Sequence, residues 1–314
     1  MSTASLSIQP VLQQYAQDAA RANVQRVADF IAPTVEVGAQ HGRFWIYDKE
    51  TPFRIPKTLR AIGGRATQVV FGEGQGTYDC SPHALDTPLD ELEIMEANQD
   101  AYTNIVQERA DVVAWMGGLA HENRVIATAR AAVGAGTAAA WGPNADPVSD
   151  LNDVIFDLIK NIQGGSTMGI RLLLGADVWK TLHTHPELVK RLPNGATTGR
   201  SAGVKTVGLE DLGKMLAVQT ETAVSMAVYD KAAEGQAQDL DWSFSDGVLA
   251  FVASANPNRM DPSWMKTFRL RNYWMKVGTY KRDDERADVV KFDWSCDVKQ
   301  VNANAAKLLI PTWA

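Results

Sequence analysis

The sequence predicts an α+β fold, in which strands and helices alternate at short range rather than in regular βαβ units. Three observations support this prediction. A long amphipathic helical pattern covers residues 87–130, and a mixed pattern of short strands and helices covers 135–265. Near the end of the chain, the segment VVKFDWSCDVKQ alternates apolar and polar residues with the period of a strand. A doubly wound parallel sheet is therefore not expected.

The composition is that of an ordinary soluble protein of 314 residues, with 45% hydrophobic and 22% charged residues and a formal net charge of −6. Such acidity argues against a dedicated nucleic-acid binder, because phosphate contacts need a positive face. We find no apolar run long enough for a signal peptide or a membrane span. The two cysteines, Cys80 and Cys296, are expected to be reduced thiols of a cytoplasmic protein.

The first part of the chain has the pattern of an arm. Residues 10–29 are rich in Ala and Gln, which favour helix, but their apolar stripe is thin. That stripe consists of Leu12, Ala16, Ala19 and Phe30. Such a helix gains little by packing on its own domain, so its partner is expected elsewhere. The arm ends at FIAPTVEV, where Pro33 and β-branched residues favour an extended chain.

Residues 41–80 predict a long β-hairpin with an irregular tip. The runs RFWIY and TQVVF flank a centre that contains two prolines and the pair Gly63-Gly64. The segment GEGQG at 72–76 is interpreted as a flexible base of this hairpin. A loop of this length with few core-forming positions is normally functional or disordered, and its aromatic content argues against disorder.

The next segment predicts a long helix that begins at Thr87 or Pro88, with acidic residues in its first turns. One face of this helix is expected to be buried. Its apolar members are Ile94, Ala101, Ile105, Val112, Met116, Leu119 and Ile126. The pair Gly117-Gly118 is expected to bend the helix.

The mixed region that follows predicts several short elements. The strands are GTAAAW, RLLLG and GVLAFVA, and the helices are DPVSDLNDVIFDLIKNIQ, a helical pair broken at Pro186, and GLEDLGKMLAV. In the last strand, one face is expected to be buried and the other wet. The buried face comprises Val290, Phe292, Trp294, Cys296 and Val298.

No constellation of residues supports catalysis. The segment HTHPEL places His183, His185 and Glu187 across a helix break, without the helical spacing of a zinc site. GEGQG lacks the Lys-Ser/Thr of a P-loop, and GRSAGV is not a nucleophile elbow. We therefore expect no enzyme activity and no cofactor. A metal-dependent hydrolase centred on His183 and His185 is kept as a remote alternative.

The order of these parts resembles that of a tailed-phage major capsid protein with the Hong Kong 97 type fold. FIAPTVEV resembles the strand that leaves the N-terminal arm, and PLDELEIMEANQD resembles the start of the spine helix. LLLGADVWKTLHTHPELVKRL resembles the axial domain, and DGVLAFVA with TFRLR resembles its late strands. The resemblance implies an N-terminal arm (1–40), an extended loop (41–80), a peripheral domain with the spine helix (81–148), an axial domain (149–267) and returning peripheral strands (268–314).

The resemblance also implies function and partners. A capsid protein of this type assembles as hexamers and pentamers into an icosahedral head that encloses double-stranded DNA, which it contacts without sequence specificity. Its further partners would be a portal, a decoration protein and, because only about forty residues precede the hairpin, a separate scaffolding protein. The protein would assemble in the host cytoplasm and reside in the virion, away from membranes. An encapsulin-like nanocompartment shell is the nearest alternative.

In the family, the extended loop reaches over a neighbouring subunit, and the charges suggest where it would bind. Residues 41–70 hold six basic and two acidic side chains, whereas 86–108 hold seven acids and no base. We therefore expect contacts between subunits, from Arg43, Arg54, Lys57, Arg60 and Arg65 of the loop to Asp90, Glu93, Glu96 and Asp100 of the spine helix. Two other roles for the basic loop stay open, namely a merely solvated loop and one that holds packaged DNA.

Overall fold

The computed structural model describes residues 27–46, 55–69, 74–96, 99–162, 169–192, 206–254, 261–284 and 286–313, without the side chains of 94, 96 and 99–104. The described strands are β1 Thr34–Val37, β2 His41–Ile46, β3 Gly74–Asp79, β4 Ser81–Asp90, β5 Thr137–Ala140, β6 Ile170–Leu174, β7 Glu221–Val224, β8 Val228–Asp230, β9 Leu240–Trp242, β10 Val248–Val252, β11 Met265–Leu270, β12 Lys276–Arg282, β13 Ala287–Gln300 and β14 Ala306–Thr312. The described helices are α1 Ala28–Ile31, α2 Glu91–Glu96, α3 Gln99–Val133, α4 Pro147–Asn161, α5 Ala176–Leu182, α6 Pro186–Arg191 and α7 Leu209–Met215. Most of the predicted arm helix, residues 10–26, lies outside these ranges.

The first sheet is built around the long strand β13. This strand pairs antiparallel with β12 through 287–293, with β4 through 287–296 and with β11 through 296–300. Strand β1 lies parallel to β11 at the edge of this sheet. The predicted terminal strand is thus confirmed, and it occupies the middle of its sheet.

Helix α3 packs on this sheet through small residues. Ala110, Ala114 and Gly117 face β13. A Cβ at Gly117 would lie 2.8 Å from Cδ1 of Phe292 and closer still to Cε1. The glycine therefore lets the helix approach the strand closely, and α3 continues through it to Val133.

The predicted buried stripe of this helix is wrong at two positions. Val112 and Met116 are 56% and 50% exposed, while Val113 and Ala114 are buried. Close approach of helix and strand favours small side chains at the contact. The large apolar residues consequently lie on the opposite face of the helix.

The predicted start of the long helix at Thr87 or Pro88 is also wrong. Residues 81–90 form β4, and the helical segments begin at Glu91 and Gln99. The local signal for a helix start is overridden by ten pairs with β13. Because β4 pairs with β13 alone among the described strands, it can hold Pro82 and Pro88, which lack the N–H that a central strand would need.

The expected wet face of β13 is wrong as well, because Asp293, Ser295 and Asp297 are buried. Their polar groups have partners within the chain. The Ser295 hydroxyl donates to the Cys80 carbonyl at 3.0 Å, and Asp297 accepts from the backbone N–H of Asp79 at 2.8 Å. Strands on both sides of β13 exclude water from this face, and hydrogen bonds satisfy the buried groups.

The second sheet has the strand order β5-β14-β10-β6-β7. Its core includes the large buried side chains of Trp141, Ile155 and Phe251, and the end of α3 also contributes to it. The predicted strands and helices between 137 and 252 are present within the described ranges, and α6 begins at Pro186 as expected. The domain boundaries stay a prediction, although β14 joins the second sheet rather than the first.

Within the described ranges, no helix combines the length and the apolar composition that a bilayer crossing requires.

Candidate inter-subunit interface

The base of the hairpin, which consists of β2 and β3, is held by glycines that face aromatic rings. Gly42 pairs with Tyr78 and Gly76 pairs with Phe44 in the antiparallel register. A Cβ at either glycine would overlap the ring on the opposite strand. The segment GQG is therefore part of an ordered strand, and the interpretation of 72–76 as a flexible base is wrong for its described residues 74–76.

These rings also fix the hairpin base to the first sheet. The rings of Phe44 and Tyr78 stack on Phe268 of β11, with centroids 5.0 and 4.8 Å away. The Asp79 N–H bonded to Asp297 adds a polar anchor, and the Asp79 carboxylate lies 2.9 Å from His41 Nδ1. The hairpin therefore projects from the body of the subunit at a defined position.

The described hairpin tip, residues 55–69, is almost entirely exposed. Ile55, Leu59 and Ile62 are essentially fully exposed, so three large apolar side chains lie in solvent. Within the tip, Arg60 donates to the Gly64 carbonyl at 3.2 Å and the Thr67 hydroxyl donates to the Lys57 carbonyl at 2.7 Å. Exposed apolar clusters of this kind mark interaction sites.

The predicted basic residues lie where a partner could reach them. Lys57, Arg60 and Arg65 are exposed, and within the described ranges none of the three has a carboxylate within ion-pair distance. Arg43 lies on the hairpin base, where it donates to Gln75 Oε1 at 3.4 Å. Arg54 lies outside the described residues.

The acids of the predicted partner surface already have partners in their own chain. Three of them form ion pairs, which are Asp86 with Arg282 at 3.5 Å, Glu91 with Lys281 at 3.3 Å and Glu93 with Arg109 at 3.1 Å. A fourth, Asp90, accepts from the Leu92 N–H at 2.8 Å. The side chains of Glu96 and Asp100 are not described.

The acidic surface is therefore less negative than the local sequence suggests, because β12 brings two bases beside it. These bases, Lys281 and Arg282, are distant in sequence, and no local pattern places them there. Among the described acids, Glu108 is exposed and has no ion-pair partner. It is the better candidate to meet a cation of another subunit.

Glu108 lies on a second apolar face of α3, which sequence reasoning missed. Val112, Trp115 and Met116 follow it at the spacing of one helix face and are 56%, 39% and 50% exposed. We call these three residues the outer stripe. The sequence could have indicated this surface through the second apolar face of the helix. A helix that packs on one side only should carry polar residues on the other.

The histidines of HTHPEL have structural contacts. His185 is buried, with Nε2 3.0 Å from the Gly142 carbonyl and Nδ1 accepting from the Glu187 N–H at 3.3 Å. His183 Nδ1 lies 2.9 Å from the Trp179 carbonyl. Both ring nitrogens of His185 are thus engaged, which leaves that residue no nitrogen for a metal. Across the described part of the chain, no group of three or more His, Cys, Asp or Glu side chains could hold a metal ion.

The cysteines are buried and free, as predicted for Cys296. Burial is the main cause that raises the pKa of the Cys296 thiol, to about 11, and it also raises the pKa of Cys80. Such thiols are inert, because the thiolate is the reactive form.

Known proteins share this architecture. No protein-family model matches the chain. The major capsid protein of Pseudomonas phage JBD67 is 26% identical over 225 residues, which are 69% of this chain and 69% of that protein. A phage-related protein from Bordetella bronchiseptica RB50 has a TM-score of 0.67 at 18% identity, with 96% of both chains covered.

Two further solved structures resemble the chain in fold at low sequence identity. The capsid of cyanophage P-SCSP1u has a TM-score of 0.57 at 9% identity and covers 93% of this chain and 90% of its own. An encapsulin from Synechococcus elongatus PCC 7942 has a TM-score of 0.55 at 11% identity and covers 92% and 88%.

Fold and surface together define a class: the chain has the Hong Kong 97 type capsid fold, an α+β architecture that phage capsids and encapsulins share. An exposed hairpin tip and an unburied stripe on the long helix are features of a subunit that binds copies of itself. Within this class the chain is similar in sequence to a phage major capsid protein, that of phage JBD67, over two thirds of both chains. This likeness supports a structural role, in a shell built from copies of the subunit.

Proposed function

We propose that the subunit assembles as hexamers and pentamers into an icosahedral phage head around double-stranded DNA, with its hairpin lying over a neighbouring subunit. The exposure of Ile55, Leu59 and Ile62 carries this proposal. Burying one such side chain contributes about 1.5–3 kcal/mol. A hairpin with a fixed base and an apolar tip is thus suited to bind another protein surface.

The outer stripe of α3 on a neighbouring subunit is the surface that fits this tip. It offers Val112, Trp115 and Met116 as apolar partners and Glu108 as an unpaired acid. The tip offers apolar side chains together with Arg60 and Arg65. Apolar contact would supply most of the binding free energy, while the charges would set the register, because exposed ion pairs contribute only about 0.2–1 kcal/mol each.

Charge reversal tests this contact. Arg60→Glu with Arg65→Glu should leave the subunit folded, since exposed loop charges without partners change stability by no more than about 0.5 kcal/mol. The same variant should reduce the yield of closed shells, measured by sedimentation and electron microscopy. Glu108→Lys in this background should restore part of the yield. Two of the acids predicted from the sequence, Glu93 and Glu96, are tested in parallel by introducing Glu93→Lys and Glu96→Lys into the same background.

A matched control uses exposed lysines of other helices. Lys180 and Lys214 are exposed and have no ion-pair partner among the described residues. Lys180→Glu with Lys214→Glu makes the same change in net charge and should leave the shell yield unchanged. If the control and the tip variant reduce assembly equally, the effect belongs to net charge and the proposed contact is wrong.

The alternative role of the hairpin in holding DNA gives a different result. In that case Arg60→Glu with Arg65→Glu would produce normal shells with less packaged DNA. An encapsulin-like function predicts shells with protein cargo and no genome. Measuring the nucleic-acid content of purified particles tests both alternatives.

The remaining partners belong to the same proposal. A separate scaffolding protein, a portal and a decoration protein would act with the subunit, and assembly would take place in the host cytoplasm. Coexpression with the scaffolding protein should raise the fraction of closed shells over that of the subunit alone.

A further inference from the structure

A cavity lies between the hairpin base and the edge of the first sheet, at a place that the proposed hairpin contact does not use. Its volume is about 260 Å³. Its lining consists of Val35, Val37, Phe44, Trp45, Tyr78, Phe268 and Val301, together with Arg43, Asp261 and Lys266. A cavity of this size can hold two aliphatic side chains, since an apolar cavity of about 150 Å³ holds benzene.

The buried charges of this cavity are satisfied within the chain. Lys266 Nζ lies 2.8 Å from the Asp261 carboxylate and also donates to the Ser254 carbonyl. The other oxygen of Asp261 accepts from the N–H and hydroxyl of Ser263 at 3.0 and 2.5 Å. An occupant therefore needs no charge to compensate them, and the aromatic and valine lining favours an apolar one.

Strand β1, which forms one wall of the cavity, has an unpaired edge. The Pro33 carbonyl accepts from the N–H of Thr267 in β11 at 3.2 Å, and the Val37 carbonyl accepts from the N–H of Arg271, just after β11, at 2.8 Å. The backbone groups of the odd-numbered residues therefore face β11. Those of Thr34 and Glu36 face the opposite side, where no strand among the described residues pairs with β1. An unpaired edge is a template for an additional strand.

The chain itself contains a segment suited to this edge. Residues 5–9, SLSIQ, alternate Leu6 and Ile8 with polar residues, and Pro10 follows. On a strand, Leu6 and Ile8 would share one face and could enter the cavity together. The intervening residues 10–26 favour helix, which would extend them over about 25 Å.

The start of the described chain is held firmly. The N–H groups of Val27 and Ala28 donate to the two carboxylate oxygens of Glu122, each at 2.8 Å, and Glu122 is fully buried. A helical spacer of residues 10–26 would span about 25 Å from this anchor, which is long enough to reach a neighbouring subunit. The segment is then available to a neighbouring subunit.

We propose that residues 5–9 of a neighbouring copy add as a strand to the outer edge of β1 and place Leu6 and Ile8 in this cavity. The inference rests on the proposed assembly into shells. It gives the arm a binding site and makes each subunit depend on a second neighbour contact, separate from the hairpin tip.

Two variants of the full chain differ only in strand phase. Leu6→Asp with Ile8→Asp places two charges in the cavity and should lower the shell yield at least about tenfold, because buried unpaired charges are costly. Ser5→Asp with Ser7→Asp makes the same change of charge on the opposite face and should stay within about twofold of wild type. Equal effects of the two variants, or no effect of either, would overturn the proposal.

Disulfide crosslinking identifies the donor of the segment. Leu6→Cys or Ile8→Cys is combined with Val35→Cys or Val37→Cys, and assembled shells are oxidised and run on a non-reducing gel. At least one combination should give covalent dimers and a ladder above them. Crosslinked monomers would assign the segment to its own chain and overturn the proposal, as would the absence of any crosslink. The buried native thiols serve as the internal control, since wild type should give no ladder.

Different results would contradict the assembly into shells and the binding of residues 5–9. Wild-type protein that forms no shells with its scaffolding protein contradicts the proposed function. Normal shells that show neither phase dependence nor a ladder contradict only the assignment of residues 5–9 to the cavity.

Discussion

Replacing Gly117 by alanine separates two effects that have opposite signs. Alanine is the better helix former by about 0.8–1.0 kcal/mol, so α3 considered alone should be stabilised. The added Cβ would lie 2.8 Å from Cδ1 of Phe292 and closer to Cε1, whereas carbon atoms in contact prefer about 3.5–4.0 Å. Helix and strand would have to separate, or the ring would have to move.

The ring has little freedom to move, because Phe292 is 1% exposed and its centroid lies 5.4 Å from that of Trp294. Overpacking of a filled core costs about 1–3 kcal/mol, and the upper end applies where neighbours are confined. Subtracting the helix gain of about 1 kcal/mol, we expect Gly117→Ala to lower the free energy of unfolding by about 2 kcal/mol.

The assay is urea unfolding of the unassembled subunit, followed by circular dichroism and by tryptophan fluorescence. Ala120→Gly, at an exposed position of the same helix, measures the propensity difference separately. Phe292→Leu introduced into the Gly117→Ala background should recover part of the loss. A Gly117→Ala subunit as stable as wild type would refute the close packing of α3 on β13.

Three further predictions concern titratable groups. Burial, and secondarily Arg124, lowers the pKa of His83. The free energy of unfolding should therefore be highest above about pH 6.5 and fall below it, because the unfolded chain then binds a proton that the folded chain resists. His83→Gln should flatten this part of a pH series of urea midpoints. With a pKa of about 11, Cys296 should react with a bulky thiol reagent at pH 8 far more slowly in the native shell than in urea, and rapid native labelling would contradict its burial. Glu122→Gln weakens the charge-assisted hydrogen bonds from the N–H groups of Val27 and Ala28, each worth about 1.5–3 kcal/mol. The variant should therefore be cleaved faster by trypsin after Arg26. Unchanged cleavage would show that this anchor does not hold the arm.

Local sequence patterns predicted one face of β13 correctly but failed where strands from distant parts of the chain determine the structure. The phase of β13 was correct because Phe292, Trp294 and Cys296 alternate strictly with polar residues. The burial of Asp293 and Asp297 on the other face was not predictable, since it depends on strands from distant parts of the chain. The same long-range pairing turned Thr87, an apparent helix start, into a strand residue.

The candidate interface was predicted in outline but not in its chemistry. The hairpin and its exposed cations follow from composition, whereas the ion pair of Glu93 with Arg109 depends on how the chain folds after α2. Ile55 and Leu59 resemble ordinary core residues in the sequence. Their position between prolines and the Gly63-Gly64 pair is the available signal that they belong to no core.

The central position of the last two strands has a consequence for synthesis on the ribosome. Strand β13 forms the middle of the first sheet, and β14 lies between β5 and β10 in the second. Neither sheet can close until residues 287–312 have left the exit tunnel, so hydrophobic faces made earlier stay open during translation. A chain that stops short of these strands lacks the middle of both sheets. We therefore expect a prematurely terminated chain to lack the packed body that holds the hairpin base and α3 in place, and to be a poor partner in assembly.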